Sequence, residues 1–465
     1  MNRVPGSCAL RVRAACAVAL AMVLGGPAAK VGAIPSFARQ TGFACTACHT
    51  EFPQLTPLGR YFKLTGYTMA GGDTKLPPLA AMVQAGFTHT AADLPKEDTP
   101  THYHTNDNWS FNQISLFYAG RVLGPYSEAA LGEKVGGALE HVGTFVQGTW
   151  DGVAHEWALD NAELRAATTI ELAGQHAVVG AYANNNPTMS DLWNTTPAWA
   201  FPFSSSGFAP TPSAAPLITG LGQQTGGLGA YAMLADVVYL EAGTYKTLSA
   251  GIQRDLGGDP TDEAQVDPWA PYWRVALEKT LGHHSLEVGT YGLDARTYPG
   301  RDQSEGHDRF SDVGVDAQYQ YLSERHDVTV ALNWIHEHQR LDASQALGLS
   351  ANRSNTLWTA AATASYLFDK TYGFDTQYFA SGGDRDALLY DDRRASPGSE
   401  GWIFQLNYLP FNKSGGPSFW PKSNLKVSLQ YVVYQRFDGS HANFDGAGRS
   451  ASHNDTLYLE AWAAF

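Results

Sequence analysis

The residues of this chain with the clearest chemistry are Cys45, Cys48 and His49, which belong to the pentapeptide Cys-Thr-Ala-Cys-His. Two cysteines separated by two residues and followed directly by histidine are the attachment signature of a c-type haem. The spacing lets both thiols form thioethers with the vinyl groups of one haem, and it places the histidine beneath the iron as proximal ligand. We therefore expect one covalent haem c on Cys45 and Cys48, with His49 bound to the haem iron.

Three other interpretations fit a Cys-x-x-Cys pair, namely a thioredoxin-like redox pair, half of a zinc site and a structural disulfide. A thioredoxin-like pair needs a βαβ context, which the sequence does not show. A zinc site needs a second pair of Cys or His ligands at suitable spacing. The only other cysteines, Cys8 and Cys16, lie in an N-terminal segment that we expect to be removed. Cys45 and Cys48 are then kept for chemistry.

Residues 1–33 have the pattern of a secretory signal peptide. Arg3, Arg11 and Arg13 form a positive n-region, residues 14–24 are apolar, and residues 31–33 are a small-residue cleavage site. The apolar run is too short for a transmembrane helix, which needs about 20 residues. The sequence therefore predicts export, with haem attachment outside the cytoplasm.

The chain has 465 residues and a formal net charge of −14. Nucleic-acid binding is disfavoured because it needs a basic surface. No later stretch is apolar enough for a membrane helix, and the remainder is rich in Gly, Tyr, Trp and Phe. The negative net charge can also be explained without any specific partner, because it keeps a protein soluble.

The haem motif lies in a module, residues 34–76, that is too small to bury a core alone. Thr56 is placed to cap a short helix whose first residue is Pro57. The residues expected on one side of this helix are Leu58, Tyr61, Phe62 and Leu64. The module must pack against its haem and against the rest of the chain.

The rest of the chain, residues 77–465, shows short segments of alternating polarity separated by turn residues. In residues 312–321, Val313 and Val315 share one face, whereas Asp312 and Asp316 share the other. A soluble sandwich also alternates. Strands of about ten residues, aromatic residues at strand ends, and connections that are alternately short and long instead favour an all-β outer-membrane barrel.

We count about sixteen antiparallel strands, and an even count puts both chain ends on the periplasmic side. The predicted strands begin near Leu79, Ser110, Gly137, Glu156, Gln175, Gly226, Val237, Tyr272, Ser285, Phe310, Asp327, Thr356, Tyr372, Gly401, Leu425 and Thr456. A barrel of this size has a wide lumen in which the haem module could sit as a plug. The long aromatic loop at 186–225 either folds inward as a constriction or packs on itself outside.

The N-terminal residues resemble a known family. Pro-Ser-Phe-Ala-Arg-Gln-Thr-Gly at 35–42, the haem motif, Leu-Thr-Pro at 55–57, Gly-Arg at 59–60 and Phe-Lys-Leu-Thr-Gly-Tyr at 62–67 resemble the fused outer-membrane cytochrome–porins of iron-oxidising bacteria. The resemblance implies a one-haem, mostly helical cytochrome c plug in a porin-like barrel. It also implies an iron:cytochrome c oxidoreductase activity, in which electrons pass from extracellular Fe(II) to a periplasmic cytochrome. Over the barrel it rests on length, strand count and chain order.

The sequence does not decide which residue is the sixth ligand of the haem iron. Met69 is the candidate because it is the only methionine of the plug, and His/Met ligation would raise the reduction potential. A methionine just before two glycines also fits simple packing. The alternatives are Met82, His89, His102 and His104.

Arg39, Arg60 and Lys63 are candidates for contacts with the anionic haem propionates, which Arg binds bidentately. The alternative is a salt bridge from plug to wall, because alternation turns acidic residues inward. These are Glu241, Glu278, Glu287, Asp312, Asp316 and Glu460. Acidic loop clusters at 255–267 and 384–392 are either Fe(II)-attracting carboxylates or a solvated surface.

Two functions of other classes remain open. The protein could conduct electrons from a donor other than Fe(II), or it could be a diffusion porin whose haem plug is structural or regulatory. Conductance in a planar bilayer separates the porin from the electron conduit.

Overall fold

The structure is a computed structural model that describes residues 35–72, 77–123, 126–261, 264–390, 392–418 and 422–465. The predicted signal peptide, residues 1–33, therefore lies outside the described residues. The same holds for the predicted domain boundary at residue 76 and for three acidic loop residues, Asp262, Glu263 and Asp391.

The helices of the described residues are short. They are α1 (Pro35–Thr41), α2 (Cys45–Cys48), α3 (Pro57–Leu64), α4 (Ser127–Leu139), α5 (Leu217–Gly220), α6 (Ala250–Asp255) and α7 (Asp342–Ala346), with 3-10 turns at Pro299–Arg301, Gln303–Glu305 and Ala451–Asn454. None of the helices in this part of the chain is long and apolar enough to cross a membrane.

The strands form one antiparallel sheet. They are β1 (Leu79–Thr90), β2 (Asn108–Arg121), β3 (Val142–Asp151), β4 (Glu156–Leu172), β5 (Gln175–Asn184), β6 (Thr225–Leu234), β7 (Val238–Thr247), β8 (Gln265–Val266), β9 (Ala270–Leu281), β10 (His284–Tyr298), β11 (Asp308–Leu322), β12 (His326–Arg340), β13 (Ser354–Phe368), β14 (Tyr372–Gly383), β15 (Glu400–Tyr408), β16 (Asn424–Arg436) and β17 (Thr456–Ala464).

The sheet closes on itself because β1 pairs with both β2 and β17, with Phe87 opposite Leu459 across the closing seam. The two-residue β8 pairs only with the end of β10, and β7 pairs directly with β9. Sixteen long strands of the described chain therefore form a closed barrel, as the alternation predicted. A soluble two-sheet sandwich is excluded by the closing seam.

The side chains of the barrel alternate between a polar inside and an apolar outside. On β11, Val313 and Val315 are 44% and 46% exposed on the outside, whereas Asp312 and Asp316 are buried on the inside. The other predicted inward carboxylates are buried or nearly so. Exposed aromatic residues lie near the short turns, such as Tyr372 and Tyr408, and also toward the long loops. This is the surface pattern of a lipid-facing barrel.

The third strand begins later than the sequence predicts. The residues near Gly137 lie in the last turn of α4, and β3 begins at Val142. Residues 127–139 are rich in Ala, Glu, Lys and Leu, which favour a helix over a strand. The connection from β2 to β3 therefore contains a helix.

Residues 35–72, called the plug below, lie inside the barrel. The predicted cap of α3 is confirmed, because the Thr56 hydroxyl accepts a hydrogen bond of 3.2 Å from the Gly59 amide. Of the residues predicted to share one side of α3, Phe62 and Leu64 are buried but Tyr61 is 36% exposed, and Arg60 and Lys63 are buried as well. A polar lumen wall explains the difference, since it offers partners to the charged face of the helix.

The plug is hydrogen-bonded to strands around the circumference of the lumen. Arg165 on β4 donates to the Lys63 carbonyl, and the Tyr231 hydroxyl on β6 donates to the Leu64 carbonyl. Arg60 forms an ion pair of 2.6 Å with Glu278 on β9. On the other side, Lys426 of β16 donates to the Phe52 carbonyl. The plug therefore spans the lumen instead of hanging from one edge.

The loop between β5 and β6 folds inward, as the constriction alternative predicts. Residues 188–196, called the inner segment below, are buried throughout. Its Asp191 pairs with Arg274 at 3.3 Å, and its Thr195 hydroxyl donates to Asp316 at 2.5 Å. Lys63 of the plug donates to the carbonyls of Met189 and Asp191. The inner segment is thereby fastened to both the wall and the plug.

We predict that Arg274→Met releases the inner segment. Arg274 is fully buried against Asp191, Glu287 and Asp316. Removing one partner of a buried ion cluster costs about 3–5 kcal/mol because the remaining charges stay uncompensated. The free energy of unfolding should fall by that order, and proteolysis in detergent should cut near residues 188–196. Arg309→Met is the matched control, since the Arg309–Asp294 pair is exposed and should contribute about 0–1 kcal/mol. Equal effects of the two variants would contradict the prediction.

A double-mutant cycle tests whether Arg60 anchors the plug to the wall. Because the guanidinium is bonded to Glu278 and to wall amides, Arg60→Gln and Glu278→Gln should each destabilise the barrel. The double variant should cost clearly less than the sum, since contacting partners are not additive. Thermal unfolding followed by electrophoretic mobility measures this. Additive losses would instead mean that Arg60 stabilises something other than this pair, such as a propionate.

Candidate haem site

A cavity of about 340 Å³ lies where the plug meets the wall and the loop after the inner segment. This volume is within the usual range of ligand pockets, about 300–1,000 Å³. The plug contributes Phe37, Phe52 and Phe62 to its lining, the wall contributes Phe117, Phe145 and Trp462, and the loop contributes Trp199 and Phe203. Aromatic rings from all three parts of the molecule therefore contribute to the lining of the cavity.

All three residues of the haem motif line this cavity. Cys45 and Cys48 begin and end α2, and His49 follows as its C-cap with its amide donating to the Cys45 carbonyl at 2.8 Å. Helix α3 packs directly on α2 at Gly59. A Cβ atom at position 59 would lie 2.2 Å from the Cys48 carbonyl oxygen, so this packing requires glycine. The sequence thus presents two thiols and one imidazole to a single apolar space.

His49 is oriented as a metal-binding imidazole would be. Its Nδ1 donates to the Pro53 carbonyl at 3.2 Å, because that oxygen can only accept. Nε2 is then the nitrogen left to bind a metal, and such a bond from the other ring nitrogen commonly sets the orientation of ligating histidines. Burial lowers the pKa of His49 to about 4. The imidazole is therefore neutral near pH 7, as a ligand must be.

The two cysteines are buried thiols. Burial raises the pKa of Cys48 to about 11, so that it is not a thiolate near neutral pH. Redox-active Cys-x-x-Cys pairs instead depend on a lowered pKa. In the described ranges, no three or more His, Cys, Asp or Glu side chains are grouped to hold a metal ion.

The residues present fit a c-type haem. An apolar cavity lined by flat rings suits a porphyrin, two thiols are spaced for thioethers, and a neutral imidazole has one nitrogen available. The polar lining includes Lys63 and the side-chain amides of Gln84, Gln113, Gln147 and Asn194. Anionic edges of a bound group would find hydrogen-bond donors among these.

The arginines predicted to bind propionates are not among the residues that line the cavity. Arg60 is the plug-to-wall ion pair described above, which is the alternative that the sequence left open. Arg39 donates to the Leu79 carbonyl at the start of β1. Lys63 does line the cavity, and burial lowers its pKa to about 7. A propionate contact for Arg39 or Arg60 stays a prediction.

The candidates for the sixth ligand have different surroundings in the structure. Met69 is half-buried beside the plug aromatics, and its carbonyl accepts from Gln40 at 2.9 Å. It is not among the cavity-lining residues, whereas Met82 is. His89 is exposed and pairs with Asp107 at 2.7 Å. His102 and His104 lie exposed in the loop between β1 and β2.

The wall aromatics of the cavity were missed by sequence reasoning, whereas the aromatic loop at 186–225 was noted as a candidate inward constriction and not as part of the haem site. On β17 the alternation that places Leu459 outside also places Trp462 inside, two residues from the buried Glu460. A large aromatic ring at an inward position of a polar lumen is the signal that could have found it. For Trp199 the signal was the aromatic composition of its long loop, which has no periodicity to show which way each ring points.

The acidic loop cluster at 384–392 contains a structural carboxylate. Asp386 accepts hydrogen bonds from the Ser350 hydroxyl and from the amides of Ala351 and Asn352. Burial alone would raise the pKa of Asp386, but these hydrogen bonds hold it well below its usual range. Asp386 therefore joins two long loops of the barrel.

No protein-family model and no curated protein sequence matches this chain. Among solved structures, it is similar to OmpF of Salmonella typhi in complex with daunomycin, with a TM-score of 0.46 and 13% identity over 83% of this chain and 97% of that one. It is also similar to the outer membrane channel DcaP of Acinetobacter baumannii, with a TM-score of 0.42 and 12% identity over 83% of this chain and 96% of that one. A third is OccK2 of Pseudomonas aeruginosa, with a TM-score of 0.36 and 12% identity over 83% and 97% of the respective chains. At TM-scores below 0.5 these similarities carry no argument about function.

Proposed function

We propose that this protein is an outer-membrane electron-transfer protein with one covalent haem c held inside its barrel. Electrons pass from extracellular Fe(II) to the haem and from there to a periplasmic cytochrome. The observation that carries the proposal is the meeting of Cys45, Cys48 and His49 in one aromatic cavity, with the His49 imidazole oriented by Pro53.

The outer-membrane location is supported by the closed barrel and its exterior. Lipid offers no hydrogen bonds to backbone groups, so only a helix or a closed barrel can span it. Apolar residues such as Leu277, Leu332 and Leu406 are half exposed on the outside of the barrel. These side chains would lie against the acyl chains of outer-membrane lipid.

The chain's own residues attach, orient and enclose the haem. Cys45 and Cys48 would form the thioethers, and the Pro53 carbonyl holds the His49 ring through Nδ1. The rings of Phe62, Phe117 and Trp462 give the cavity an apolar lining. When bound, a c-type haem supplies a one-electron carrier, so one Fe(II) is oxidised to Fe(III) for each haem reduced.

The filled lumen supports electron transfer over solute diffusion. The plug is bonded to wall strands on opposite sides, through Arg60 to β9 and through Lys426 to β16. The inner segment covers it, fastened through Asp191 and Lys63. Electrons can cross such a packed interior by tunnelling, while hydrated iron stays outside.

The first test is optical and uses the full-length holoprotein. Oxidised protein in detergent should give the α-band of reduced haem c when Fe(II) is added without oxygen. Cys45→Ser/Cys48→Ser should lose covalent haem staining after denaturing electrophoresis, because no thioether can form. Thr46→Ser is the matched control and should keep both signals, since it leaves the attachment residues intact. Absence of covalent haem in the unaltered protein would contradict the proposal.

A haem that dithionite reduces but Fe(II) does not would exclude Fe(II) as the donor. The electron conduit would then need another donor, such as a reduced solid surface or a partner cytochrome. The same optical cell can test reduced cytochromes directly.

The second candidate function is a diffusion porin. The closed barrel of sixteen long strands favours it, because barrels of this size commonly enclose an aqueous channel. We predict that the holoprotein conducts only a small fraction of the current of OmpF measured in the same planar bilayer, because the plug and the inner segment fill the lumen. Arg274→Met, which frees the inner segment, should increase the conductance, and Arg309→Met should not. Large porin-like steps from the unaltered holoprotein would favour the diffusion porin.

A further inference from the structure

We propose that Met82, on the inward face of β1, is the second axial ligand of the haem iron, so that the iron joins the plug to the barrel wall. This inference rests on the proposed haem of the preceding subsection. It identifies a metal ligand outside the cytochrome module.

Few side chains of the cavity can bind a haem iron besides His49. The carboxylate of Asp160 also lines the cavity, but it already accepts hydrogen bonds from Thr149 at 3.3 Å and from Gln223 at 3.2 Å. The other donors are a thioether, an amine and a phenol, which belong to Met82, Lys63 and Tyr67. Lys63 donates to two carbonyls, at 2.7 Å and 2.6 Å, and its Nζ lies 4.5 Å from the centre of the Trp199 ring. The Tyr67 hydroxyl donates to Glu163 at 3.1 Å. Both are therefore engaged elsewhere, and the thioether remains.

Met82 and His49 reach the cavity from different parts of the molecule. His49 belongs to the plug, whereas Met82 lies on the wall between Ala464 of β17 and Ser115 of β2. The alternation of β1 turns Met82 inward together with Gln84. A ring held between plug and wall would thus meet one ligand on each side.

The surroundings of Met82 suit a thioether ligand. It is only 7% exposed and belongs to the same apolar cluster as Phe62, Phe117 and Trp462. The methionine side chain is unbranched and flexible, so its sulfur can adapt to a ligand position. A His/Met pair also raises the reduction potential of a haem, as acceptance of electrons from Fe(II) requires.

Met69 does not meet these conditions, although it is closer to His49 in sequence. It packs against the outside of the aromatic cluster and does not line the cavity. The proposal therefore predicts opposite results for substitution of Met82 and of Met69 when the haem spectrum is measured. This contrast provides a matched pair of variants.

The experiment compares the unaltered holoprotein with Met82→Leu, Met82→His and Met69→Leu. Leucine keeps nearly the same volume, so the core should fold. Covalent haem staining of each variant is measured first. The readouts are the far-red charge-transfer band of methionine-ligated ferric haem, the midpoint potential, and CO binding to the ferrous form.

The expected result is a far-red band in the unaltered protein and in Met69→Leu, and its loss in Met82→Leu with covalent haem retained. Met82→Leu should also bind CO rapidly, because one axial position is open. Met82→His should stay six-coordinate and low-spin, with a lowered midpoint potential.

A far-red band that persists in Met82→Leu, or that disappears in Met69→Leu, would overturn the assignment while leaving the haem in place. So would an unaltered holoprotein whose ferric haem has no such band. Absence of covalent haem from the unaltered protein would reject the proposed function itself, and the ligand assignment with it. The two failures are therefore distinguishable.

Discussion

The interior of this barrel depends on the pairing of buried charges. A wall that alternates between lipid outside and lumen inside places carboxylates such as Glu278 and Asp316 where water is excluded by the plug. An uncompensated charge there would be very costly. Arg60 from the plug and Arg274 from the wall meet this requirement, and each joins parts of the chain that are distant in sequence. The Arg60–Glu278 pair holds the plug against β9, and the apolar contacts of Phe62 and Tyr67 hold it against other wall strands.

Much of the fold could be predicted from the sequence because a strand has a strict two-residue period. The alternation on β11 predicted the correct face for every residue from Asp312 to Gln320. Most strands begin within two residues of the predicted position. The exception at Gly137 arose where helix-forming residues flank a glycine pair. The two-residue period shows which face of the sheet each side chain lies on. The number of strands follows from counting the segments that have this period.

The partners of those side chains could not be predicted, since they depend on what lies across the lumen. Arg60 was a candidate for a propionate and is bonded to Glu278, 218 residues away. Met69 was favoured by closeness in sequence, yet Met82 on the wall reaches the cavity. The grouping of Cys45, Cys48 and His49 was predictable because the three residues are close in sequence and need no long-range contact. Whether the inner segment folds inward was undecidable from a loop without periodicity.

The burial of the two thiols has a consequence for biogenesis. Cys45 and Cys48 are only 2% and 8% exposed, and the plug that carries them is enclosed by a wall whose first and last strands are paired. A protein that attaches haem could not reach these sulfurs once the seam between β1 and β17 has closed. On the proposed function, attachment therefore precedes closure. The plug is also N-terminal to every strand of the barrel. It therefore leaves the cytoplasm before the strands do, and it can receive its haem before the barrel is assembled.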